Sequence, residues 1–115
     1  MVKRERIHTV EGLRGGKGTV EIHHFLEKEE LLGHGKMFAR VVLKPHSSIG
    51  WHQHTEDTEP YAILKGEGLF IDNDGSKTVV RPGDVCIINV GEWHSIENNT
   101  DEDMEMMAIV LNKQD

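Results

Sequence analysis

From Lys65 onward the chain is cut by turn-forming residues at short, regular intervals: Lys65-Gly66-Glu67-Gly68, Asn73-Asp74-Gly75, Arg81-Pro82-Gly83-Asp84, Val90-Gly91, and Asn98 to Asp103. The pieces left between them, Leu69-Phe70-Ile71, Lys77-Thr78-Val79-Val80, Val85-Cys86-Ile87-Ile88, His94-Ser95-Ile96 and Met104 to Leu111, are short and mostly β-branched or apolar. Many short strands with this punctuation predict an all-β sandwich or barrel. Asp74-Gly75 between apolar runs is a hairpin signal. Met106-Met107-Ala108-Ile109-Val110-Leu111 is apolar at both parities, so that strand is expected to be covered on both faces.

The first part of the chain reads the same way. Met37 to Leu43 is a strand stopped by Pro45, and Thr19 to Leu26 alternates with Val20, Ile22 and His24 on one face. His23 and His24 then point to opposite faces and make poor chelating partners. Glu27 to Leu32 fits one helical turn ended by Gly33. The first eleven residues mix charge with Ile7 and Val10 and read as an extended arm that needs something to lie against. Arg14-Gly15-Gly16-Lys17-Gly18 lacks the spacing of a phosphate cradle and leads into a strand, so it is expected to be a flexible loop.

At 115 residues the chain is expected to be one domain, with 1–18 as arm and loop and 36–111 as the barrel core. A net charge of −7 opposes binding to a phosphate backbone, so nucleic acid is not an expected partner. No apolar run approaches the roughly 18 residues of a membrane span and no signal-type core follows Met1, which makes the cytoplasm the default compartment and a membrane no partner. Cys86 is alone and reads as a small buried apolar residue.

Chemistry concentrates in Gly50-Trp51-His52-Gln53-His54-Thr55-Glu56-Asp57-Thr58-Glu59-Pro60-Tyr61. On a strand His52 and His54 project from one face, and the polar run after them allows a turn that returns the Glu59 carboxylate toward the imidazoles. A shuffled chain of this composition would hold on the order of 0.5 such H-x-H pairs, so the pair alone decides little. The second stretch, Gly83 to Asn98, adds His94 just after a Val90-Gly91 turn. Three imidazoles and one carboxylate suit a divalent transition metal and leave positions open on an octahedral ion.

These two stretches resemble the paired motifs of the cupin superfamily, G-x5-H-x-H-x3-4-E-x6-G and G-x5-P-x-G-x2-H-x3-N. The first runs here from His46 through His52, His54 and Glu59 to Gly66, and the second from Gly83 through Gly91 and His94 to Asn98. His46 stands in place of the first Gly and Asn89 in place of the Pro, both at expected turns. The resemblance implies a double-stranded β-helix of the small single-domain type, with His52, His54, Glu59 and His94 holding one divalent ion: Mn, Fe, Ni, Co or Zn. It also implies a small-molecule function, whether dioxygenase, oxalate-degrading enzyme, isomerase or noncatalytic binding protein. A metal-dependent enzyme acting on a small carboxylate, such as an oxalate decarboxylase-like protein, is the reading adopted. No residue stands out as general acid or base; Glu56 and Asp57 read as solvated loop acids.

Arg40 is the odd member of its strand. It faces either the interior, where it would bind a substrate carboxylate, or the outside, paired with a surface acid. Tyr61 shares parity with Glu59 and is expected to line the cavity and donate a hydrogen bond to a ligand. Trp51 and Trp93 each precede a candidate ligand and should face away from it, packing between sheets or against another subunit in preference to stacking on a substrate. The arm, the Val20-Ile22 strand and the apolar C-terminal strand together predict a homodimer.

Overall fold

A computed structural model describes residues 1–114 and contains eleven strands in two antiparallel sheets. The larger sheet has the order β1 (Arg6–Glu11), β2 (Thr19–Leu26), β3 (Gly35–Leu43), β11 (Met104–Asn112), β6 (Tyr61–Lys65) and β9 (Val85–Cys86), with β5 (Asp57–Thr58) also pairing β11. The smaller sheet has the order β4 (Ser48–Gln53), β10 (Trp93–Glu97), β7 (Gly68–Ile71) and β8 (Lys77–Val80). Two facing antiparallel sheets wound in this order form the double-stranded β-helix. Among the described residues no helix is long and apolar enough to cross a membrane.

Alternation along each strand sorts side chains into core and surface. Val20 and Ile22 of β2, Ala39, Val41 and Leu43 of β3, and Met104, Met106 and Ala108 of β11 all point inward and are buried. They meet Ile49, Phe70 and Ile96 from the opposite sheet in one continuous core. β11 lies between β3 and β6, so its backbone is paired along both edges. Of its apolar run Met106, Ala108 and Val110 point inward and are buried, whereas Met107 and Ile109 are half-buried and Leu111 is exposed, so the second face is covered only in part and not fully as the sequence suggested.

Departures from the sequence reading have local causes. Only Val85 and Cys86 of the run to Ile88 form a strand; β9 pairs with β6 through just two residues, and Val85 and Ile87 remain exposed. The N-terminal arm finds its support within the chain: β1 pairs with β2 over six residues, and before it Glu5 reaches Arg40 while Lys3 pairs with Glu30. The loop after β1 is not slack. It forms a 3-10 turn at Leu13–Gly15 and is tied to β4, with Ser48 N–H donating to Lys17 O (2.8 Å) and Lys17 N–H to Ser48 Oγ (2.9 Å).

Both turns where this chain departs from the usual motif are accommodated. His46 adopts the left-handed conformation (φ 57°) that Gly would favour, with its ring against Asp101 (2.6 Å). At the second turn Gly91 supplies the positive φ (92°), and Asn89 is not among the left-handed residues.

Candidate metal centre

Strand register brings the ligand candidates together. His94 on β10 is the direct cross-strand partner of His52 on β4, and a register shift follows between His94 and Ile96. His54 lies just past the end of β4, where its N–H donates to Glu92 O and its carbonyl accepts from Gly91 N–H. Glu59 comes from the larger sheet, in the link between β5 and β6. His52, His54, Glu59 and His94 are all buried, and one ligand atom of each lies within 4.8 Å of all the others.

The surroundings assign the ring protons. His52 Nδ1 is 2.7 Å from Gly50 O, which can only accept, so Nδ1 carries the proton. His54 Nδ1 is 2.6 Å from Asp57 Oδ1 and donates likewise. Each Nε2 is thus left to face the other candidates, as a lone pair whenever its ring is neutral. The two stand 3.1 Å apart, with His94 Nε2 at 3.0 and 3.2 Å from them and Glu59 Oε1 at 3.3 Å from His54. The four residues converge closely enough to hold one ion, and the donor set fits a divalent transition metal. His94 Nδ1 is buried without a partner; its ring is held by stacking on Tyr61 (5.1 Å, 13°) and by the edge of Phe70 (5.8 Å).

Titration follows the same geometry. Burial pushes the Glu59 carboxyl up, but the imidazoles of His52, His54 and His94 outweigh it and hold the group well below the usual carboxylate range. Burial lowers His54, and Glu59 with Asp57 more than restores it, leaving it raised. For His94 burial prevails, assisted by the neighbouring imidazoles, and its value is lowered. Burial, then the Glu59 charge, drives Tyr61 well above a free phenol.

His52, His54 and Glu59 line a cavity of about 490 Å³, while His94 is fully buried behind them. Its wall is apolar, with Ile22, Met37, Val41, Ile49 and Val110, and its polar lining includes Arg14, Lys36, Gln53, Thr55 and Asp57. That size suits a small organic ligand.

The other residues singled out in the sequence fall elsewhere. Arg40 takes the outer-face position, where Nη1 donates to Glu105 (2.8 Å) and Nη2 to Glu5 (3.0 Å); it is not among the cavity residues. Tyr61 is buried, and its hydroxyl donates to Glu59 Oε1 (3.0 Å), so it orients the carboxylate instead of facing the cavity. Trp51 and Trp93 do face away from the imidazoles, but they stack on each other at the surface (6.0 Å, 18°) and not between the sheets.

Three positions of the cavity lining escaped the sequence reading. Asp57 is a buried carboxylate and not a solvated loop acid: burial raises it, but Lys36 Nζ (2.5 Å) and His54 hold it lowered. Its place three residues after His54 was the available signal. Lys36 and Arg14 come from distant segments that meet the site only through the tertiary fold, and no spacing announces them.

Comparison with known proteins agrees with this geometry. Residues 39–110 match the family model described as Cupin domain. A curated relative from Thermotoga maritima, named oxalate-binding protein, is 45% identical over 102 residues, which is 89% of this chain and 84% of that protein. A solved structure from Thermotoga maritima, described as a predicted oxalate decarboxylase, is 43% identical with a TM-score of 0.91, covering 97% of this chain and 99% of that one. A cupin 2 conserved barrel protein from Salinispora arenicola, at 22% identity and a TM-score of 0.69, covers 81% of this chain and 76% of its own and shares the fold.

Proposed function

The chain belongs to the cupin family, and from that premise we propose that it holds one divalent metal ion through His52, His54, Glu59 and His94 and binds a small carboxylate such as oxalate at the open coordination positions. The observation that carries this reading is the convergence of three imidazole nitrogens and one carboxylate oxygen beside a cavity that His52, His54 and Glu59 line. A divalent ion there would act as a Lewis acid toward a carboxylate oxygen. Around it, Gly50 and Asp57 fix the imidazole tautomers, Tyr61 orients Glu59, and the apolar wall limits water and strengthens charge interactions inside. The similarity to a protein named oxalate-binding supports the choice of anion.

Retention of the anion is favoured over its conversion by the two carboxylates of the described cavity lining. Asp57 is held by Lys36 and His54, and Glu59 faces the imidazoles, so neither is free to move a proton to or from a bound substrate. The rival reading is an oxalate decarboxylase or a dioxygenase, and the relative described as a predicted oxalate decarboxylase speaks for it. Calorimetry of oxalate binding to protein loaded in turn with Mn, Fe, Co, Ni and Zn tests the proposal, together with assays for formate, carbon dioxide and oxygen uptake. Saturable binding without product supports retention, and product release supports the enzyme. A fully loaded protein that binds no oxalate contradicts the proposal.

We infer further that two copies associate and that the protein works in the cytoplasm. Ile7 (58% exposed) on the edge strand β1, and the stacked Trp51 and Trp93, leave apolar surface for a partner. Light scattering should give a mass near twice 13.0 kDa; a monomer mass that persists as concentration rises contradicts the dimer.

A further inference from the structure

A metal-bound carboxylate needs a counter-charge on the side away from the metal, and the cavity offers two cations. Lys36 is committed to Asp57. Arg14 also lines the cavity, and among the described residues no carboxylate pairs with it. The formal charges of the lining, Arg14 and Lys36 against Asp57 and Glu59, cancel. With a divalent ion on the floor the cavity becomes doubly positive, which matches a dianion.

Arg14 also sits in a conformation that its side chain does not favour. Its backbone is left-handed (φ 55°, ψ 31°), between Gly12 (φ 65°) and Gly15 (φ 77°), where a glycine would be unstrained. The loop is pressed onto β4 two residues before His52: a Cβ on Gly50 would stand 2.2 Å from Arg14 O, and one on Gly16 2.2 Å from Ser48 O. This close fit fixes the loop, and the strain is retained at Arg14, which lines the cavity beside its neighbour Leu13.

Resting on the carboxylate-binding reading of the site, we propose that Arg14 is its specificity residue, with a guanidinium that receives the carboxylate oxygens turned away from the metal. The planar fork matches a carboxylate in two parallel hydrogen bonds, a fit that an ammonium lacks. Arg14 thus takes the role that the sequence offered to Arg40, and it comes from the loop between β1 and β2, not from the barrel wall.

Arg14→Gly separates binding from folding, because glycine suits the backbone there. Oxalate is titrated calorimetrically into Mn-loaded wild type, Arg14→Gly and Arg14→Lys, with metal content measured by elemental analysis and melting temperature recorded for each. We expect Arg14→Gly to keep its metal and melt no lower than wild type, with Kd for oxalate raised roughly tenfold or more. Arg14→Lys should recover part of that loss. A Kd for Arg14→Gly within twofold of wild type overturns the role of Arg14 and leaves the carboxylate reading standing. Loss of metal from Arg14→Gly also overturns it, since the loop would then act by shaping the floor. Loaded wild type that binds no oxalate overturns both.

Discussion

The barrel buries two polar clusters, and they are built on opposite principles. Around Asn98 every group has a partner: Nδ2 donates to Leu43 O (2.9 Å), Lys44 O (3.1 Å) and Glu102 O (2.7 Å), while Oδ1 accepts from Thr100 N–H (3.0 Å) and Oγ1–H (2.8 Å). Around His94, which is equally buried, acceptors face acceptors and Nδ1 has no partner. The first cluster is complete without any added group and ties β3, β10 and the loop before β11 together. The second leaves a buried nitrogen unpartnered and gathers the ligand atoms on which the metal proposal rests. Both His94 and Asn98 belong to one sequence motif, so a single stretch carries a structural residue and a functional one four positions apart.

That contrast breaks if the same substitution harms both properties. The largest effect is expected for His54→Ala, which should weaken metal binding roughly a hundredfold or more and leave the melting temperature of the metal-free protein unchanged or higher. Removing an acceptor from a crowd of acceptors relieves the metal-free state. A large drop in metal-free stability would show that the imidazoles are structural after all. Asn98→Ala should do the reverse, costing about 2 kcal/mol in denaturant unfolding because several buried backbone groups lose their partner. Its metal stoichiometry should match wild type. Asp57→Asn is expected to lower metal affinity by roughly tenfold, since an amide holds the His54 ring less firmly and leaves it less basic. Unchanged affinity would remove Asp57 from the site.

pH sharpens the same comparison with a smaller effect. His54 is raised, so in the metal-free protein its contribution to stability is present below the ordinary imidazole value and lost as pH rises through its own. Glu59 and Asp57 are lowered, so theirs is present above the ordinary carboxylate values and lost only as pH falls through the depressed ones. Metal must displace the His54 proton, so affinity should begin to fall at a pH above the ordinary imidazole value as the solution is acidified. Metal affinity that stays flat from neutral to mildly acid pH would count against imidazole ligation. The Asn98 cluster holds no titratable side chain, so its contribution should not change over that range.

How much of this was legible in the sequence depends on how far apart the cooperating residues lie. Lys77–Val80 was readable as a strand from its own residues, and His52 and His54 share a face by the period of two. His94 and Glu59 were reachable because turns and motif spacing bound them to the pair. Lys36 and Arg14 were not, because nothing local in either segment reports that it closes over a site built from β4 and β10. Arg40 stayed undecided between two faces for the related reason that a charge within an apolar strand does not declare its face. Its partners Glu5 and Glu105 lie in other strands or beyond the start of β1.

The most direct test of the account is the metal content of the purified wild type against a His52→Ala/His54→Ala double variant, by elemental analysis after equilibration with manganese and gel filtration. The account predicts close to one divalent ion per wild-type chain and almost none in the double variant, with both proteins folded by circular dichroism. A double variant that retains the wild-type stoichiometry would contradict it.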